Sequence, residues 1–154
     1  MKEITLDLNQ IKEYQQNRNP YLFVDYIDKL IPGVVSNGYK MLSKDEWFFK
    51  VHWPGDPNMP GMLQVEALVQ TSALALTSLP NNKGKLVYLI SADKLRFIKK
   101  ILPDSKLILN TTIKNYKRGI ANVEGKAFVN NVLVCSADFK IIMPEELNKF
   151  KINK

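Results

Sequence analysis

An α+β fold, with one buried helix wrapped by an antiparallel sheet of about five to seven strands, is predicted by three features of this chain. Residues 62–79 are apolar at three- and four-residue spacings and nearly all round the circumference, the mark of a buried helix. Five stretches of the C-terminal half alternate apolar and polar residues or are rich in β-branched ones. Turn signals at Pro103-Asp104, Arg118-Gly119 and Asn130-Asn131 separate those stretches.

Residues 1–16 read as an amphipathic lead-in, with Ile4, Leu6, Leu8 and Ile11 apolar. Asn17-Arg18-Asn19-Pro20 is a turn, because proline fixes φ and asparagine tolerates turn geometry. An aromatic and β-branched stretch follows from Tyr21 to Leu30. Strands are expected after Pro32-Gly33, over 34–42, and again around 46–51. In the helix over Met62–Leu79, Gln64, Glu66 and Gln70 alone interrupt the apolar first turns. Glu66 and Gln70 lie four residues apart, so they share a face and can hydrogen-bond. Pro80-Asn81-Asn82-Lys83-Gly84 ends the helix. Strands then follow over Leu86–Ala92, Lys94–Lys99, Leu107–Tyr116, Ile120–Val129 and Val132–Ile142, the last two joined by a two-residue hairpin at Asn130-Asn131. Residues 1–144 are read as one domain and 145–154 as a polar, lysine-rich, frayed tail.

Composition narrows the function classes. The chain has 154 residues, enough for one domain with a real core. No apolar run approaches the roughly 20 residues needed to span a bilayer, and the alternating start of the chain lacks the apolar stretch of a secretion signal. Cytoplasmic is the expected location. One histidine and one cysteine, Cys135, argue against a structural zinc site, so no metal is expected. The net charge of +7 invites a nucleic-acid reading. Its lysines are scattered, however, and the basic groups at 94–100 and 114–118 match neither a helix-turn-helix nor a zinc-finger pattern. A basic surface equally suits an acidic protein partner, whose encounter it speeds.

The one histidine, His52, stands at the start of a loop stiffened by Pro54, Pro57 and Pro60, with Gly55 and Gly61. Glu66, the only acid between Asp56 and Asp93, follows fourteen residues later on the helix. An imidazole titrating near neutrality and a carboxyl in apolar surroundings make a candidate acid/base pair.

The run from Phe48 through Val51-His52-Trp53-Pro54-Gly55, Met59-Pro60-Gly61 and Glu66-Ala67 to Gln70 resembles the FFxGHFPGxPxMPGxLxxEAxAQ signature of the FabZ-type 3-hydroxyacyl-[acyl-carrier-protein] dehydratases. Further segments agree in order: Asn19–Asp25 with the family's YPFLLVD entry, Asp93–Phe97 with its IDKxRF strand, and Lys117–Ile120 and Val134–Asp138 with later ones. The resemblance covers roughly residues 17–143.

It implies a hotdog fold, a curved antiparallel sheet around one long helix. It also implies a homodimer, commonly three dimers to a hexamer, with the His of one subunit facing the carboxylate of the other. His52 would remove the C2 proton of the substrate, and Glu66 would protonate the departing C3 hydroxyl. Desolvation should raise the pKa of Glu66. Gly61, supported by Pro60, would offer its N–H to the thioester oxygen at the positive helix end. Gln70 either orients Glu66 or is simply a polar residue at the interface. Leu63, Tyr88 and Ile90 are candidates for the acyl tunnel, each equally readable as core. The substrate would arrive on the phosphopantetheine of acyl carrier protein, with Arg96, Lys99 and Lys100 as candidate docking residues or simply a solvated lysine face. Loss of water calls for no cofactor.

Departures from the signature bear on substrate more than on chemistry. Val51 replaces the glycine before the histidine and adds bulk beside it. Trp53 replaces phenylalanine, Gln16-Asn17-Arg18 lacks the second histidine of PHR, and Ser91-Ala92 replaces glycine-isoleucine. Two other classes stay open: a hotdog thioesterase using Glu66 to activate water, and a non-catalytic acyl-binding or assembly subunit in which Val51 blocks the substrate.

Overall fold

The computed structural model describes residues 2–151. A seven-stranded, wholly antiparallel sheet carries the fold, in the order β1-β2-β3-β5-β6-β7-β4. Its strands are β1 (Ile4–Leu6), β2 (Tyr26–Ile31), β3 (Val35–Leu42), β4 (Tyr88–Phe97), β5 (Ser105–Lys117), β6 (Ile120–Val129) and β7 (Val132–Ile142). Four helices accompany them: α1 (Leu8–Tyr14), α2 (Trp47–Val51), α3 (Gly61–Thr77) and α4 (Pro144–Asn148). The α+β arrangement is the predicted one, with a strand number at the upper end of the expected range.

The long helix packs across one face of the sheet, against β2, β3, β5, β6 and β7. Every residue from Ala67 to Thr77 is buried, which is why its sequence is apolar nearly all round. Leu68, Leu74 and Leu76 have no exposed surface. At Gly125 on β6 the sheet comes close to the helix. A Cβ there would sit 3.0 Å from the Phe139 ring and 3.1 Å from Leu68. The hairpin turn at Asn130-Asn131 has positive φ at both residues (49° and 62°), as the two-residue loop requires.

Three expectations are corrected. Residues 46–51 are not a strand but end in α2. Phe48 and Phe49 are both buried, 4.7 Å apart at their ring centroids. A strand sends neighbouring side chains to opposite faces, whereas a helical turn lets both reach one core. The two strands expected over 86–92 and 94–99 are one, β4. Its pairing with β7 shifts register between Asp93 and Arg96, and Lys94 there has φ 50°. That bulge mimics a break in the sequence pattern. The expected tail is helical over Pro144–Asn148. Its Glu146 accepts from Lys85 at 2.6 Å and from Lys149 at 2.7 Å. Residues 152–154 of that tail lie outside the described residues.

At one end of the sheet, β4 pairs only with β7. It exposes Tyr88 (52 %), Ile90 (50 %) and Phe97 (49 %), and Ile98 follows at 43 %. Among the described residues, no helix is long and apolar enough to cross a membrane.

Candidate active site

His52 caps the C-terminus of α2, its backbone N–H donating to the Phe48 carbonyl at 2.9 Å. The ring is half-buried, and Nδ1 lies 3.2 Å from the Asn58 carbonyl oxygen. A carbonyl only accepts, so Nδ1 carries the hydrogen and Nε2 presents a free lone pair. The loop holding Asn58 is pinned in turn. Met59, 1 % exposed, donates its N–H to Ile101 at 2.9 Å, and Asp56 is paired with Lys100. Thus the proline-rich stretch fixes one tautomer and one ring orientation. Val51, next to His52, is 66 % exposed.

Pro60 is the N-cap of α3 and Gly61 its first residue. The Gly61 N–H is one of the helix-start donors that have no intrahelical acceptor. A Cβ on Gly61 would lie 2.9 Å from the Phe97 ring, so any larger residue here makes that half-exposed ring move. Gly61, Met62, Phe97, Lys99 and Lys100 line one groove.

One turn into α3, Glu66 is half-buried. Burial raises its pKa from the usual 4.5, and a hydrogen bond from Gln70 pulls in the opposite direction. Nε2 of Gln70 donates to Oε1 of Glu66 at 2.9 Å and to the Tyr21 carbonyl at 2.9 Å, while its oxygen accepts from the Phe23 N–H at 2.8 Å. That amide is 2 % exposed and fully used. Glu66 opens into a second cavity, of about 340 Å³, which follows α3 along Val69, Gln70, Ala73 and Thr77 and includes Tyr88.

The expected site residues therefore fall into groups. Glu66, Gln70 and Tyr88 share the cavity along α3; Gly61, Lys99 and Lys100 share the other groove; and His52 lines neither. Two of the tunnel candidates lie outside this protomer's cavity, Leu63 in keeping with its alternative reading as core. Ile90 points to the exposed face of β4, and Leu63 is half-buried against the core; neither lines the α3 cavity. Arg96 lies apart from the two lysines, in a groove it shares with Lys94, Glu124, Lys126 and Asp138. Sequence reasoning missed Gln15 and Lys85 as cavity residues. Positions 66, 69, 70, 73 and 77 repeat at helical spacing, so the face was readable once Glu66 was chosen as its origin.

Among the described residues, no group of three or more His, Cys, Asp or Glu side chains could hold a metal ion.

Residues 16–138 match the model of the FabA-like domain family. The chain is 37% identical over 140 residues to the 3-hydroxyacyl-[acyl-carrier-protein] dehydratase FabZ of Natranaerobius thermophilus, covering 91% of this chain and 99% of that one. It is 40% identical over 140 residues to the bifunctional enzyme LpxC/FabZ of Porphyromonas gingivalis, covering 90% of this chain but only 30% of that longer protein. Among solved structures, the dehydratase heterocomplex ApeI:P of Xenorhabdus doucetiae superposes with a TM-score of 0.75 at 14% identity, over 94% of this chain and 97% of that one. At that identity the likeness speaks for the hotdog fold.

Proposed function

The chain belongs to the FabA-like domain family, and from that premise we propose that it dehydrates 3-hydroxyacyl-[acyl-carrier-protein] thioesters to trans-2-enoyl thioesters in fatty acid or related acyl-chain synthesis. The observation that carries the proposal is Glu66: a carboxyl of raised pKa, oriented by a saturated amide, in the lining of a cavity that runs along a buried helix.

Its chemistry follows from the two side chains. Nε2 of His52 takes the C2 proton, and the C–H electron pair becomes the C2–C3 double bond. The C3–O bond breaks as Glu66 gives its proton to the leaving oxygen, so water departs rather than hydroxide. Protonated His52 and ionised Glu66 then exchange a proton through solvent. A carboxyl of raised pKa suits this task, because it still holds a proton where an ordinary carboxyl has lost it. The Gly61 N–H, at the positive end of α3, meets the charge that develops on the thioester oxygen. C2 is formally oxidised and C3 reduced by the same amount, so the reaction is redox-neutral overall and needs no redox cofactor, and this donor set needs no metal.

The pair works across a homodimer, three of which form the expected hexamer. Two features support the dimer. His52 and Glu66 do not share a cavity within one protomer, and β4 leaves an unpaired edge bearing exposed apolar side chains, which a second copy would cover. The substrate comes on the phosphopantetheine arm of acyl carrier protein, an acidic partner in this reading. Lys99 and Lys100, beside the Gly61 groove, suit that encounter. The setting proposed is cytoplasmic.

The test is to incubate the purified protein with 3-hydroxybutyryl and longer 3-hydroxyacyl carrier-protein thioesters, following enoyl product and free thiol together by mass spectrometry. Enoyl formation without thiol release is expected. Thiol release would move the case to a thioesterase. Neither product, from a folded dimer, would favour a binding subunit.

A further inference from the structure

Nδ1 of His52 and the Asn58 carbonyl meet at 3.2 Å, yet the two residues are anchored by different parts of the fold. Asn58 belongs to the loop tied to Ile101, whereas His52 ends α2, a helix of five residues. So short a helix has little stability of its own. What holds α2 therefore decides whether the ring keeps its place on Asn58.

Contacts of Glu46, Trp47 and Phe48 all lead to one segment, residues 20–25. Nε1 of Trp47 donates to the Pro20 carbonyl at 3.3 Å. The Phe48 ring lies 6.2 Å from that of Phe23, and both are fully buried. Glu46 is the N-cap of α2, but its side chain makes no hydrogen bond to the helix it starts. Its carboxylate is paired instead with the Lys40 ammonium at 3.3 Å, and Lys40 also donates to Asp25 at 3.1 Å. The other Asp25 oxygen accepts from the Met41 N–H at 2.7 Å. This same segment supplies the Tyr21 carbonyl and the Phe23 N–H that hold Gln70, and through it Glu66. One segment thus carries supports of both reacting groups.

The Lys40 bridge is sheltered. Its side chain is 12 % exposed and that of Glu46 15 %. Beside the same helix, Lys50 and Asp45 form an ordinary surface pair, 3.8 Å apart and 64 % and 73 % exposed. Exposed pairs of that kind contribute little. Removing the cation from a sheltered cluster costs more, because it leaves charge uncompensated. Without Lys40, the carboxylates of Asp25 and Glu46 would repel each other and push the start of α2 off the segment.

We propose that Lys40 is a positioning residue of the dehydratase: by joining Glu46 to Asp25 it holds α2, and with it the His52 ring on Asn58. It acts through α2 alone. The effect on rate rests on the reading of His52 as general base; the effect on the ring does not.

His52 is the only histidine, so labelling the full chain with ¹⁵N-histidine gives one ring, whose two nitrogen signals report its tautomer. At alkaline pH, with the ring neutral, the Nδ1–H form is expected to dominate. Glu46→Ala cuts the arm to α2 and leaves Lys40 on Asp25; Lys40→Met removes the bridge. Both should draw the two nitrogen signals together, as a mixture of tautomers does, and lower kcat about tenfold with KM held within about twofold, the mark of a misplaced reacting group. Lys40→Arg keeps the cation and should restore both readouts. Lys50→Met removes a charge from the exposed side of the same helix and should change neither. An unchanged tautomer in Glu46→Ala, folded by its melting curve, overturns the proposal, and so does a KM that rises while kcat holds. Glu46→Ala decides the matter even where Lys40→Met does not fold. An unmodified chain that does not turn over 3-hydroxybutyryl thioester, beside variants that still lose the tautomer, would condemn the dehydratase reading and leave the support of the ring standing.

Discussion

Gln70 donates a hydrogen bond to Glu66 across one turn of α3, at 2.9 Å, and its remaining amide hydrogen and its oxygen are spent on the backbone of Tyr21 and Phe23. The carboxyl is thereby tied to the segment that enters β2, and its orientation does not depend on substrate. Because the amide is fully used, Gln70→Leu strips one backbone N–H and one carbonyl of their partner as well as Glu66. The expected loss of stability is about 1–3 kcal/mol, measured by urea unfolding. The basic limb of the pH–rate profile should also move up, since the removed bond was the one that lowered the Glu66 pKa. A limb that stays in place would separate Gln70 from the chemistry.

A raised carboxyl pKa has a sign in stability as well as in rate. The folded chain keeps a proton on Glu66 that the unfolded chain loses near 4.5. Stability is therefore lost as pH rises from that value through the raised one, and then levels. Glu66→Gln removes the titration while keeping an acceptor for Gln70. Its melting temperature should track the unmodified protein at acidic pH and exceed it above that window. A difference that does not vary with pH would contradict the assignment.

His52→Ala and Glu66→Ala should each lower turnover by about 10²–10⁴-fold, as expected for a general base or acid, with circular dichroism unchanged. The two inactive variants, unfolded and refolded together, should recover about a quarter of the normal activity, the share of two-fold sites that pair an intact His52 with an intact Glu66. No recovery from a mixture proven to contain mixed dimers would place the pair within one protomer.

Ile90 is half-exposed on the free edge of β4. Ile90→Lys should alter the stability of an isolated protomer by no more than about 0.5 kcal/mol, yet give monomers in sedimentation and abolish turnover. Persisting dimers would move the interface elsewhere.

Gly61→Ala drives a methyl into the Phe97 ring. The cost expected is about 1 kcal/mol, with the half-exposed ring displaced. Phe97→Ala in the same chain should recover most of that stability. Thermal melts of the three variants decide it.

What the residues dictate by themselves is local. The α3 boundaries, the two-residue hairpin at Asn130-Asn131 and the stiff loop after His52 were all legible, because each depends on neighbours within a few positions. The family resemblance was legible for the same reason: its motif is a contiguous run. The helical turn at Trp47–Val51 was not, since two adjacent phenylalanines read as strand until one core is known to bury both. Nor was the union of two apparent strands into β4, which depends on the register of β7 across a bulge. Above all, tertiary structure decided the cavity. Gln15, Thr77 and Lys85 come from three separate segments, and only the folding of the residues after α1 and before β4 around α3 brings them to one cavity. Periodicity records which face of an element is buried; it carries no information on which distant element buries it.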